Sequence, residues 1–135
     1  MAEGEKIFVD SKSIKVGKYM IIDGVPCKVV SIDTSRPGKH GHAKMRITGI
    51  GIFDGQKKQW LGAGGHDVEV PVITRSTAQI VSVSGNSAQL MDTKTYEIFE
   101  LHIPDDMLED AEPGKDAEIL EAMGRKAIQR IKKGD

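Results

Sequence analysis

Short alternating apolar runs joined by tight turn dipeptides dominate the first half of this sequence. The runs Val16 to Ile22 and Val25 to Ile32 are separated only by Asp23-Gly24. An Asp-Gly pair between two such runs is a strong hairpin signal, because both central positions of the tight turn take positive φ angles. The first half of the chain is therefore expected to consist of β-hairpins.

A third run, Ala43 to Phe53, alternates with a period of two, which is typical of a strand with one buried face. The buried face is predicted to carry Met45, Ile47, Gly49, Gly51 and Phe53, and the solvent-facing side Lys44, Arg46 and Thr48. Two interior glycines weaken a flat strand and favour a sharp bend. Asp54-Gly55 then predicts a second turn before a strand at 57–61, and residues 66–70 complete a set of five short strands. Five short strands with tight turns predict a small SH3-like barrel.

The second half predicts strands at 77–84, 87–91 and 96–101, with turns at Gly85-Asn86 and 92–95. A short helical stretch should follow Pro104, because acidic residues occupy its first turn, where the helix dipole favours them. Three strands, a short helix and two further strands are the order of the OB-fold barrel. The expected fold class is all-β: an SH3-like barrel followed by an OB-fold with one short helix.

The tail from residue 117 to residue 132 fits two patterns. A four-residue apolar repeat favours a helix, and its members are Ile119, Met123, Ala127 and Ile131. Gly124 interrupts that repeat, and residues 119–123 also alternate. We predict two strands around a Gly124-Arg125 turn, since this completes the OB-fold order.

Charge divides the chain near its middle. Residues 1–71 carry eleven Lys and Arg and eight Asp and Glu, a net charge of +3, whereas residues 72–135 carry eight and twelve, a net charge of −4. Pro71 lies at this change and fits a short extended linker. The predicted domains are therefore 1–71, bearing a loop at 33–43, and 72–135.

Several classes of protein are disfavoured. Aromatic residues make up only 4% of the chain, so its cores must depend on Val, Ile, Leu and Met. No apolar run approaches the ~20 residues that span a bilayer, and the polar residues 1–6 do not resemble a secretory signal. The single Cys27 cannot form an internal disulfide, which favours a reducing, cytoplasmic setting and a structural thiol.

The loop from Asp33 to His42 combines glycine, histidine and positive charge. Lys39 stands between Gly38 and His40 near the expected tip, and the nearby cations are Arg36, Lys44 and Arg46. A solvated hairpin is the simple interpretation, since most charged side chains are exposed. A tip that faces nucleic-acid phosphates is the alternative, because such basic loops gain affinity by counterion release.

Catalytic and metal-binding interpretations find little support in this loop. The full phosphate-binding pattern Gly-x4-Gly-Lys-Ser/Thr is absent, and no helix is expected to follow Gly38-Lys39. His40 and His42 could share one side of the chain, but a metal site needs three or four ligands. No Gly-x-Ser-x-Gly motif is present, and Cys27 has no recognisable base.

The segment from Thr34 to Lys44 resembles the modification loop of the translation initiation factor 5A family, especially of its archaeal branch. Its core, Gly-Lys-His-Gly-His-Ala-Lys at 38–44, is highly specific, and the segments at 26–30 and 49–53 also match. Arg36-Pro37 stands where many eukaryotic members have Lys-Thr. The resemblance covers nearly the whole chain and agrees with the predicted order of barrels.

The resemblance implies that Lys39 is the lysine to which deoxyhypusine synthase transfers an aminobutyl group from spermidine, giving deoxyhypusine or hypusine. It also implies the residues that flank this lysine in the modification loop or face RNA: Thr34, Ser35, Arg36, Pro37, Gly38, His40, Gly41, His42, Lys44 and Arg46. A member of this family is not an enzyme and needs no separate cofactor or metal.

The resemblance further implies a monomeric cytoplasmic protein with no membrane association, which binds ribosomal RNA and peptidyl-tRNA. The modified lysine would reach the peptidyl-transferase centre and promote peptide-bond formation, notably at proline-rich stalls. A weaker expectation concerns the second domain, in which Lys94, Arg125, Lys126 and Arg130 could form a local basic strip.

Overall fold

The computed structural model describes residues 6–35 and 43–132. The chain folds into two compact units, with the division between Val72 and Ile73. Within the described ranges the regular structure is eleven strands and two short 3₁₀ turns, the latter at Ser11–Ser13 and Asp105–Asp110. The predicted all-β class is confirmed.

The first unit contains six strands: β1 (Lys6–Asp10), β2 (Tyr19–Ile22), β3 (Val25–Ser35), β4 (Lys44–Gly51), β5 (Lys57–Ala63) and β6 (Asp67–Pro71). Strands β2 to β5 form an antiparallel meander, and β1 pairs with β6. A bulge between Val29 and Ser31 shifts the register of β3 against β4 beside Gly49. Bulges increase local twist and bend a strand, as a small curled sheet requires.

The core of the first unit lies on one face of this meander. Its buried members are Ile14, Met20, Ile22, Cys27, Val29, Met45, Ile47 and Val68. Met45 and Ile47 are buried as their alternation predicted. Thr48 was predicted to face solvent and is instead buried, with its hydroxyl accepting a hydrogen bond from Gln59 Nε2 at 3.4 Å. A polar side chain can be buried there because a neighbouring strand supplies its partner.

The second unit contains five strands: β7 (Thr74–Ser84), β8 (Ser87–Asp92), β9 (Ile98–His102), β10 (Asp116–Ala122) and β11 (Arg125–Ile131). They pair in the order β11-β10-β7-β8-β9, with bulges in β7 and β10. Its separate core consists of Ala78, Ile80, Ala88, Leu90, Ile103, Ala117, Ile119, Ile128 and Ile131.

Tight turns occur where the dipeptides predicted them. Asp23 and Gly24 both have positive φ, at 52° and 77°, as a two-residue hairpin turn of the primed kind requires. The tail is a hairpin, as expected, but its turn is Met123-Gly124, one residue earlier than predicted, and Arg125 already belongs to β11. The short helical stretch expected after Pro104 is present as a 3₁₀ helix, Asp105–Asp110.

Three further local features differ from what the sequence predicted. β1 was not predicted, since it pairs with β6 about sixty residues away and no local turn signals that contact. Pro71 is not in a linker but ends β6, opposite Lys6. The run beginning at Val16 becomes a strand only at Tyr19, because Gly17 adopts a positive φ of 92° and turns the chain.

Candidate functional site

The β3–β4 hairpin supports the glycine-rich loop at its end. Pairing continues from Cys27 opposite Gly51 to Ser35 opposite Lys44. Partners in an antiparallel ladder have Cα atoms about 4.5–5.5 Å apart, so the chain leaves and re-enters the hairpin at one narrow base. On the return side the Gly64 amide donates to the Ala43 carbonyl at 3.0 Å. The loop is thus tied at its base to the segment that follows β5.

Most of the predicted site residues lie outside the described residues. These are Arg36, Pro37, Gly38, Lys39, His40, Gly41 and His42. The four that are described, Thr34, Ser35, Lys44 and Arg46, are all exposed. Register places Ser35, Lys44 and Arg46 on one face of the sheet, whereas Thr34 pairs with the buried Met45 and lies on the opposite face.

The face that carries Lys44 and Arg46, here called the outer face, extends across β3, β4 and β5. Successive rows join Ser35, Lys44 and Ala63, and then Asp33, Arg46 and Leu61. A later row joins Lys28, Ile50 and Lys57. The outer face therefore carries four cations, Lys28, Lys44, Arg46 and Lys57, against the single carboxylate of Asp33. Within the described ranges none of these four cations forms an ion pair.

Sequence reasoning missed Lys28 and Lys57 as members of this face. Their membership depends on the strand register, in which both flank Ile50. Because β3 contains a bulge, alternation along the sequence does not reveal that Lys28 shares a face with the basic residues nearer the loop. An excess of four cations over one carboxylate makes the outer face suitable for contact with a polyanion.

The basic strip expected in the second unit is largely neutralised. Lys126 Nζ lies 3.1 Å from Glu97 Oε1 and 4.3 Å from the centroid of the Phe99 ring. Arg130 pairs with Glu118 on the neighbouring strand β10. Opposite charges facing each other in this way are typical of an ordinary solvated sheet surface. The two units therefore differ in how their strand faces display charge.

Comparison with known proteins agrees with the order of the two units. Residues 6–66 match the family model described as "Translation initiation factor 5A-like, N-terminal", and residues 72–132 match "Eukaryotic elongation factor 5A hypusine, DNA-binding OB fold". Translation initiation factor 5A of Methanothermobacter thermautotrophicus is 45% identical over 94% of this chain and 98% of that protein. The chain belongs to the translation initiation factor 5A family.

Solved structures support the same assignment for this member of the translation initiation factor 5A family. The structure of the factor from Methanococcus jannaschii matches with a TM-score of 0.86 at 46% identity, covering 94% of this chain and 95% of that one. A translation initiation factor 5A family protein from Naegleria fowleri gives a TM-score of 0.71 at 28% identity, covering 94% and 98%. The predicted OB-fold in the second half is confirmed, as is the recognition of the family.

Cys27 has a structural role in this family member. Its side chain is fully buried in the first core, and its Sγ–H donates to the Val25 carbonyl at 3.3 Å. Burial raises the pKa of the Cys27 thiol, since the charged thiolate is disfavoured away from water, and the nearby Asp54 carboxylate acts in the same direction. A buried thiol with a raised pKa is a poor nucleophile.

Other site types were searched for among residues 6–35 and 43–132. No group of three or more His, Cys, Asp or Glu side chains there could hold a metal ion. None of the helical segments in these ranges has the length and hydropathy of a membrane span. His40 and His42 lie outside these ranges.

Proposed function

We propose that this protein is a translation factor of the ribosome that acts through a modified Lys39. Deoxyhypusine synthase would join Lys39 Nζ to the aminobutyl carbon of spermidine, and the rest of the spermidine would leave as a propane diamine carrying the displaced proton. The product is deoxyhypusine, or hypusine where a hydroxylase adds oxygen. The protein works in the cytoplasm as a monomer, is not itself an enzyme, and carries this covalent group instead of a separate cofactor.

The observation that carries the proposal is the β3–β4 hairpin, whose ladder is paired as far as Ser35 and Lys44. A ladder paired to its end gives the segment that contains Lys39 two closely spaced attachment points, Ser35 and Lys44. Membership of the translation initiation factor 5A family supports the assignment of that lysine.

The physical logic concerns reach and positioning. An extended amine can pass along RNA phosphates to the peptidyl-transferase centre and favour a productive pose of the peptidyl-tRNA. Holding reactants in place lowers the barrier by limiting the entropy lost in the transition state. Proline is a poor reactant in this step, so proline-rich stretches should benefit most. The ribosome supplies the chemistry, and the outer face contributes phosphate contacts from Lys44 and Arg46.

The test combines intact mass with translation of a polyproline reporter. Protein from the native source should show a discrete mass gain on Lys39. Lys39→Arg keeps the charge but removes the acceptor amine, so both the mass gain and polyproline synthesis should be lost. Lys15→Arg, at an exposed position that precedes β2 and lies off the outer face, is the matched control and should retain both. Native polyproline synthesis by Lys39→Arg would instead favour a general RNA-binding module that uses the outer face alone.

A further inference from the structure

Tyr96 ends the turn between β8 and β9 in an unfavourable backbone conformation. Its φ is +64°, in the left-handed region that bulky residues rarely adopt. Among the described residues two other non-glycine residues have positive φ, Asp23 and Met123, and each precedes a glycine in a hairpin turn. Tyr96 also lies in a hairpin turn, but the residue after it is Glu97 and not a glycine. Glycine would take this conformation without cost, so the tyrosine is retained against local strain.

The turn that carries Tyr96 is tightly fixed. Asp92 Oδ1 accepts from the Lys94 amide at 2.7 Å and from the Thr95 amide at 2.9 Å. The Tyr96 amide donates to the Asp92 carbonyl at 2.9 Å, and the Asp92 amide donates to the Glu97 carbonyl at 2.8 Å. A turn held by this many hydrogen bonds has a well-defined backbone. The point from which the Tyr96 side chain projects is therefore set in advance of any binding event.

Packing within the second unit does not explain why a tyrosine occupies this position. Tyr96 is 69% exposed and does not belong to the second core. An aromatic side chain usually stabilises a fold through the large apolar area that it buries, and the exposed Tyr96 ring buries little. Strain in the backbone and exposure of the ring together indicate a contact made with something outside the chain.

The turn that carries Tyr96 also borders a cavity with cations in its lining, although Tyr96 itself is not a lining residue. A cavity of about 510 Å³ lies beside the turn, with Thr77, Lys94, Thr95 and Lys132 among its lining residues. Lys94 and Lys132 form no ion pair within the described part of the chain. The two acidic residues of the lining already have partners. Asp92 accepts hydrogen bonds from backbone amides, and Glu118 forms an ion pair with Arg130. The cavity is large enough for one unit of a nucleic-acid strand.

We propose that Tyr96 is a stacking platform for a base of single-stranded RNA, with Lys94 contacting the adjoining phosphate and the cavity receiving the neighbouring nucleotide. An exposed aromatic ring on a fixed turn that also carries an unpaired cation, on an OB-fold, is a combination that binds single strands. RNA bases that are splayed out of a helix stack on such rings. The choice of RNA rests on the proposed function, whereas the strained ring, the cations and the cavity do not.

The test measures binding of the full-length protein to a fluorescein-labelled oligouridylate of twelve nucleotides by fluorescence anisotropy. Tyr96→Ala should weaken binding by about 5- to 160-fold, the range found when a stacking aromatic is removed, and Tyr96→Phe should bind like wild type. Phe8→Ala is the matched control, since Phe8 is exposed to a similar degree, 65%, in the first unit. It should leave the affinity unchanged.

Two further variants separate stacking from a structural role. Tyr96→Gly should lose the same affinity while the melting temperature stays level or rises, because glycine relieves the strain. Lys94→Gln should reduce the slope of log affinity against log salt by about 0.7, the value for one phosphate of a single strand. Lys115→Gln, a cation of the same unit outside the cavity lining, should leave the slope unchanged.

Equal effects of Tyr96→Ala and Phe8→Ala would overturn the proposal. So would a wild-type protein without measurable affinity for the oligouridylate, an outcome that would favour a protein partner at the ring. Lys39→Arg separates this proposal from the proposed function, because it should bind the oligouridylate normally while failing in polyproline synthesis.

Discussion

Gly49 and Cys27 approach each other so closely across the β3–β4 pair that a Cβ on Gly49 would lie 2.8 Å from the Cys27 Cβ. The same added atom would lie 3.3 Å from the Lys28 carbonyl oxygen. Backbone and a Cβ atom cannot move aside as a flexible side chain can. Gly49 therefore permits the bulged part of β3 to pack directly against β4, in the hairpin that supports the loop.

Gly49→Ala should destabilise the first unit by about 1–3 kcal/mol, the usual cost of overpacking a well-packed site. Urea unfolding followed by fluorescence of Trp60, which packs against the first core, measures this change. Gly64→Ala is the control, since the atom nearest its added Cβ is Cε of the flexible Lys12 side chain, at 3.1 Å. Equal stability of Gly49→Ala and wild type would show that the strands can separate at no cost.

The sequence predicted those parts of the fold that depend on local signals. Asp23-Gly24 and Gly85-Asn86 mark their own turns, since glycine provides the positive φ that each turn needs. Alternation predicted the buried Met45 and Ile47 of β4. In contrast, β1 is stabilised by pairing with β6, and the burial of Thr48 depends on Gln59 of a neighbouring strand. Contacts between residues distant in sequence leave no local pattern.

The candidate site shows the same limit. The motif around Lys39 was found because its residues are consecutive, and the resemblance to the family added its role. Lys28 and Lys57 were missed because only the register places them on the outer face with Arg46. Tyr96 was missed as well, since a positive φ at a residue without a following glycine cannot be read from the local sequence.

Residues 1–72 should fold without the second unit. All buried members of the first core lie between Ile14 and Val68, and the second core begins at Ala78. A domain of this size buries only about 60% of the surface its unfolded chain exposes, so its stability should be modest. Amide proton–nitrogen NMR of the fragment should show dispersed signals. A narrow spectrum typical of an unfolded chain would argue against independent domains.

Acid should weaken the turn that carries Tyr96. Hydrogen bonds from the Thr95 and Lys94 amides hold the pKa of Asp92 below its ordinary value, because they stabilise the carboxylate. A folded-state pKa below the unfolded value gives stability at neutral pH that is lost as the pH falls through about 4 and lower. The difference in melting temperature between wild type and Asp92→Ala should therefore be larger at pH 7 than at pH 3.

Asp106→Ala provides the comparison for this experiment, since it removes an exposed acid from the first turn of the 3₁₀ segment in the same unit. If the Asp92→Ala difference persists unchanged at pH 3, the side chain stabilises the turn by its shape and not by its charge.

Ribosome affinity should fall steeply with salt, and the outer face should account for part of that slope. Each phosphate that a cation neutralises releases condensed counterions, which contributes about 0.7–0.9 to the slope of log affinity against log salt. The double variant Lys44→Gln/Arg46→Gln should therefore flatten the slope by up to about 1.4–1.8.

Lys15→Gln/Lys18→Gln removes the same charge from exposed positions that precede β2 and lie off the outer face. This control should leave the slope near the wild-type value, because charge removed away from the outer face removes no contact with a phosphate. Equal slopes for both double variants would mean that the outer face is merely solvated and that contacts elsewhere hold the factor on the ribosome.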